Sequence, residues 1–143
     1  MFRKILVAVD GSESAQRAVA AAAELAASLP GAEVALLTVS EPVPLFVVDE
    51  LRANGLDPAV LQERHAEELL EAAAGPLRER GLDYVPLTAV GDPAGEICRA
   101  AQEGGYDLIV MGRRGLGPFQ EMLAGSVSNK VVHRARRAVL IVQ

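Results

Sequence analysis

Five short runs of branched apolar residues punctuate this chain: KILVAVD (4–10), AEVALLTVS (ending near Val39), DYVPLTAVG, DLIVMG and AVLIV. KILVAVD is uninterrupted up to its polar stop, as expected of a strand buried on both faces. Stretches of helical character separate the five runs, so the predicted order is β-α-β-α-β-α-β-α-β. That alternation constrains the fold more than any other feature. It calls for a parallel sheet with right-handed crossovers and helices on both faces. In such a fold, ligands bind beyond the carboxyl ends of the strands.

The helices carry their own punctuation. SESAQRAVAAAAELAASL offers Ser12 or Ser14 as a cap and alanine as the strongest helix former. Asp57-Pro58 and Asp92-Pro93 both pair a capping acid with a proline at the first helical position. The second helical stretch runs to a stop at Gly81, with a kink or break predicted at Gly75-Pro76. The third, GEICRAAQEGG, ends at Gly104-Gly105, and GSVSNKVVHRA forms the last. EPVPLFVVDELRANGL (41–56) is the least regular part, with prolines at 42 and 44, and reads as a long surface connection rather than a flap covering a site.

Half of the 143 residues are apolar, yet there is no Trp and only three Phe and two Tyr. The core is therefore expected to be Ala, Val, Leu and Ile, in one domain spanning 1–143. No apolar run approaches the ~18 residues that cross a bilayer. The start does not read as a signal peptide, because Asp10 interrupts its apolar run. A soluble cytoplasmic protein is the expectation. Cys98, the only cysteine, leaves no intrachain disulfide or cysteine-based metal cluster, and reads as a small buried hydrophobe. His65 reads as solvated, and the dipole of the last helix explains His133 without chemistry.

The net charge of −5 argues against a general nucleic-acid binder. Residues 1–111 carry eight Lys or Arg against eighteen Asp or Glu, whereas residues 112–143 carry six against Glu121 alone. Arg134, Arg136 and Arg137 fit the negative end of a final helix dipole. Arg113 and Arg114, lodged among glycines, fit that explanation less well.

Those glycines stand in GRRGLGPFQEMLAGSVSNKV (112–131), just past the fourth strand. Glycine costs regular structure roughly 0.5–1 kcal/mol relative to alanine. The segment is therefore either a flexible turn with an ordinary serine cap or a place where a ligand meets bare backbone. Amides of a glycine turn can converge on an anion, and a helix opening at Gly-Ser adds free N–H groups and a hydroxyl. The segment is not a P-loop, and no G-x-G-x-x-G follows the first strand. Asp10 has two readings as well, as a ligand contact or as a cap for the following helix.

Gly112-x-x-Gly115, nine residues, then Gly125-Ser126 resembles the G-2x-G-9x-G-[S/T] signature of the ATP-binding universal stress proteins. KILVAVDGSESA, VGDPAGEI, YDLIVMGRRGLG, GSVSNKVVHRA and VLIV extend the resemblance over nearly the whole chain. It implies an α/β domain with strand order 3-2-1-4-5 that binds ATP, commonly with Mg²⁺ or Mn²⁺. No separate metal-ligand cluster is visible, so any such ion would be held through the phosphates. By the same resemblance Asp10 lies near the adenosine, Val39 meets adenine, and Met111 and Gly112 sit beside the ribose. Gly115, Gly125, Ser126 and Val127 hold phosphate, with Arg113 and Ser128 flanking. The family often has Cys-Pro where this chain has Arg137-Ala138, which puts the approach to the last strand in question. Ala138–Val142 is expected to be an apolar edge that pairs in a homodimer. The resemblance implies a regulatory, stress-linked nucleotide binder; the alternatives are a slow ATPase or phosphotransferase on the same site, or a dimeric interaction protein with a vestigial pocket.

Overall fold

Strand β1 (Lys4–Ala8) forms the centre of a five-stranded sheet in the order β3-β2-β1-β4-β5, with every pairing parallel. The computed structural model describes residues 2–113 and 126–143. The other strands are β2 (Glu33–Ser40), β3 (Val85–Val90), β4 (Leu108–Gly112) and β5 (Ala138–Val142). The chain winds outward from β1 through β2 to β3, then returns to lay β4 on the other side of β1. Crossovers diverge at that reversal and leave a crevice beyond the carboxyl ends of the neighbouring strands.

Burial on both faces explains the unbroken apolar runs of β1, β2 and β4, whereas β3 and β5 are partly exposed edges. Ile5, Val7, Val34, Leu36, Leu108 and Val110 face one core, shared with α1 (Glu13–Ala27), α3 (Pro58–Ala73) and α4 (Gly75–Glu79). Leu6, Ala35, Leu37, Ile109 and Met111 face the other, under α5 (Pro93–Glu103) and α6 (Ser126–Arg134). Alanines 15, 18, 22, 23 and 26 form the buried face of α1, so its backbone lies close to the sheet. β3 is an edge strand with alternate residues exposed, where Pro86 withholds no amide that an interior strand would need.

The punctuation holds where it was expected. The Oγ of Ser12 accepts from the amide of Ala15 at 3.2 Å, Asp57 Oδ1 from Ala59 at 3.0 Å, and Asp92 Oδ2 from Gly95 at 2.9 Å. The Gly75-Pro76 pair breaks the second helical stretch into α3 and α4, with Ala74 between them. Gly104 caps α5 in ordinary helical geometry, and Gly105 takes the left-handed turn at φ +68° that releases the chain into β4. Despite Arg137-Ala138, β5 forms and pairs in register with β4, from Leu108↔Ala138 to Gly112↔Val142. The residue that bends the chain into it is Arg136, at φ +50°.

The 41–56 segment departs from expectation. It contains a helix, α2 (Leu45–Ala53), with no buried residue and with Leu45 and Phe46 80% and 73% exposed. Prolines 42 and 44 lie ahead of this helix, and proline before a first turn is no obstacle to it. Their presence masked a helical segment that lacks a strongly buried face.

Candidate functional site

The crevice is built from the ends of three strands and the starts of three helices. After β1, Val9 still donates its amide to Leu37 O at 2.8 Å before the chain turns at Asp10. The Oδ1 of Asp10 accepts from the Ser12 amide at 3.0 Å and from the Ser12 hydroxyl at 2.6 Å. Ser12 in turn caps α1, and its Oγ lies 3.2 Å from that of Ser14. Asp10 thus acts on the helix through Ser12, and Gly11 supplies the left-handed turn (φ +85°) that brings the two together.

Across the crevice, β2 ends at Ser40 and hands over to Glu41, whose carbonyl accepts from Gln62 Nε2 of α3 at 2.8 Å. β4 contributes Met111, which is buried, and Gly112. Pro93 and Ile97 of α5 and Val127 and Ser128 of α6 close the far side. Together these residues line a cavity of about 150 Å³ that also touches Ala8, Leu37 and Val39. That volume is on the scale that admits one aromatic ring. Its walls are largely apolar, joined by the polar residues Ser12, Ser14 and Ser128 and the acids Asp10 and Glu41; no Lys or Arg is among the described lining residues.

Six of the residues singled out in the sequence therefore meet at one place: Asp10, Val39, Met111, Gly112, Val127 and Ser128. Ser126 is the first residue of α6, so its backbone stands at the helix start. Arg113 takes a different position. Its amide donates to Val142 O at 2.8 Å and its Nη1 to Gln143 Oε1 at 3.4 Å, beside the end of β5, and it is not part of the cavity wall. Gly115 and Gly125 lie outside the described residues.

Gly112 has a reason to be glycine that the sequence does not disclose. A Cβ there would stand 2.7 Å from the Oγ of Ser14 and closer still to that residue's carbonyl carbon and oxygen. The end of β4 passes directly against the first turn of α1. Bare backbone at this position serves helix–sheet packing, whatever occupies the cavity.

Sequence reasoning missed Ser12 and Ser14 as lining residues, along with Leu37, Glu41, Pro93 and Ile97. Glu41 and Pro93 were within reach, because both follow predicted strand ends by a few residues, where ligands of this fold class sit. Ile97 was not, since helical spacing alone leaves open which turn of α5 overhangs the sheet.

Cys98, one residue beyond Ile97, is half-buried. Burial pushes its thiol above the ordinary range, Arg134 pulls it back, and Asp92 raises it further. Arg134 itself reaches to 4.0 Å from Asp92, tying the last turn of α6 to the cap of α5. His65, His133 and Lys130 are exposed. Among the described residues no group of three or more His, Cys, Asp or Glu is placed to hold a metal ion, and no helix is long and apolar enough to cross a membrane.

A parallel α/β domain with order 3-2-1-4-5 and a ligand-sized cavity where its crossovers diverge defines the structural class. Within that class the chain belongs to the universal stress protein family, which it matches over residues 1–143. It is 35% identical to the universal stress protein YxiE of Bacillus subtilis over an alignment of 156 positions that covers both chains fully. A universal stress protein of Thermus aquaticus is 37% identical over 143 positions, again covering both chains. Among solved structures, MJ0577 of Methanocaldococcus jannaschii superposes with a TM-score of 0.81 at 30% identity, covering 99% of this chain and 96% of that one. A universal stress protein solved in complex with cAMP superposes with a TM-score of 0.71 at 28% identity, covering 99% and 97%.

Proposed function

We propose that this chain is an ATP-binding regulatory module of the stress response, holding its nucleotide in the cavity at the ends of β1, β2 and β4. The observation that carries the reading is the convergence of Asp10, Val39, Met111, Gly112, Val127 and Ser128 on one ring-sized cavity beside the start of α6. A relative of the same fold bound to an adenine nucleotide, cAMP, supports it. The adenine lies over the apolar wall, and the ribose lies near Asp10, beside Met111 and Gly112. The phosphates lie toward the first amides of α6, whose dipole favours negative charge by about 0.3–1 kcal/mol when exposed and about 2 kcal/mol when partly buried. Gly115, Gly125 and Ser126 are the contacts that the family signature assigns to the phosphates in this reading, whereas Arg113 is engaged at the end of β5. Both acids of the cavity wall discourage phosphate from lying among them. Any Mg²⁺ or Mn²⁺ enters with the phosphates and is held through them.

The protein works as a cytoplasmic homodimer in this reading. β5 supports the pairing: it is an edge strand bonded to β4 on one side only, and Leu140 is 40% exposed. An apolar edge of this kind invites a second copy across a two-fold axis. Acid extraction of the purified protein followed by chromatography for adenine nucleotides, with calorimetric titration of ATP, tests the binding. Absence of both co-purified nucleotide and binding heat would overturn it.

A further inference from the structure

We infer that Glu41 selects the base of the nucleotide, its carboxylate accepting a hydrogen bond from the exocyclic amine of a 6-aminopurine and disfavouring a 6-oxopurine. The inference rests on the nucleotide reading above and concerns one end of the same cavity.

The sheet itself supplies the ruler. α6 starts beyond β4, and β2 lies two strands away across β1. Two strand spacings are about 10 Å, roughly the reach of a mononucleotide from phosphate to the outer edge of its base. With phosphate at the start of α6, the ribose falls over β1 and Asp10, and the base falls over the end of β2, against Leu37, Val39 and Ile97. Glu41, the first residue past β2, lines the cavity at the end of that strand. Its main chain is pinned by Gln62 Nε2 at 2.8 Å. Its carboxylate makes no hydrogen bond or ion pair among the described residues. Asp10, by contrast, is engaged with Ser12.

A carboxylate only accepts hydrogen bonds. It pairs with an amine at the purine 6-position and opposes a carbonyl oxygen there, acceptor against acceptor. Glutamine at the same position presents either its N–H₂ or its C=O and pairs with both. Hydrogen bonds to charged groups are among the stronger ones, but Glu41 is exposed, so water competes and the discrimination stays far below that of a sealed pocket.

Calorimetric titration of ATP, ITP and 2′-deoxy-ATP into the wild-type protein and Glu41→Gln tests this. The wild type is expected to prefer ATP to ITP by about tenfold. Glu41→Gln should bring that ratio close to one and leave the ATP-to-2′-deoxy-ATP ratio unchanged. An ATP-to-ITP ratio that survives the substitution, or is already near one in the wild type, overturns the assignment. A change confined to 2′-deoxy-ATP also overturns it, since Glu41 would then be reading the ribose. If the wild type binds none of the three, the nucleotide reading itself fails, which is a distinguishable result.

Discussion

Replacing Gly112 with alanine tests whether the end of β4 is glycine for packing. The new Cβ would lie 2.7 Å from Ser14 Oγ and nearer to the carbonyl group of the same residue. Comfortable contact between carbon atoms needs about 3.5–4.0 Å, so β4 and α1 must separate by roughly 1 Å. Ser14, the second residue of α1, is buried and cannot swing its backbone aside without tilting that helix. Forcing a methyl group into packing this tight costs about 1–3 kcal/mol. For a domain near this size that is a fall in Tm of about 4 °C per kcal/mol, or about 4–12 °C in all. Thermal unfolding followed by circular dichroism reads the shift, and urea titration should show a lower midpoint at unchanged slope. Adding Ser14→Ala to Gly112→Ala removes only the hydroxyl and leaves the carbonyl in place, so it should restore little. A Gly112→Ala protein melting within about 1 °C of wild type, or full rescue by Ser14→Ala, would refute the reasoning.

Other predictions follow from the same structure. Ser12→Ala removes the cap of α1 and the hydroxyl partner of Asp10, and should cost about 1 kcal/mol in chemical unfolding; an unchanged midpoint would show that Asp10 caps the helix without it. Replacing Gly115 with leucine should abolish ATP binding while leaving the circular dichroism spectrum intact, and retained binding heat would count against the proposed phosphate cradle. Cys98 should alkylate more slowly in the native protein than in the unfolded chain at mildly alkaline pH, because burial raises its thiol pKa. As pH rises, the unfolded thiol ionises first. This contribution to stability is therefore complete below the ordinary thiol pKa and is lost as pH climbs toward the native value. Tyr106 is shifted the same way, by burial first and by Glu33 second. In a Tyr84→Phe background, tyrosinate absorbance should accordingly appear at higher pH in the native protein than in the denatured one.

Much of this molecule was legible along the chain. Unbroken Val, Ile and Leu runs cannot sit on a half-exposed sheet, so strands such as KILVA and LIVMG had to be covered on both faces. Asp57-Pro58 and Asp92-Pro93 specify helix starts through two or three neighbouring atoms, and such local chemistry survives in sequence. The carboxyl-end rule then points to Asp10, Val39 and Met111. The signals that failed were non-local. Helix α2 has no buried face to leave a strong periodic trace, and its leading prolines suggested irregular chain. Ile97 lines the cavity because of where α5 packs over the sheet, which helical spacing along the chain does not fix. Gly112 is glycine because Ser14, almost a hundred residues earlier, lies against it. Periodicity, caps and turn chemistry are properties of adjacent residues, and the sequence by itself determined the strands, most of the helices and the end of the sheet where a ligand belongs. Which side chains meet there depends on how closely α1 and α5 approach that sheet, and only the packing of distant segments decided it.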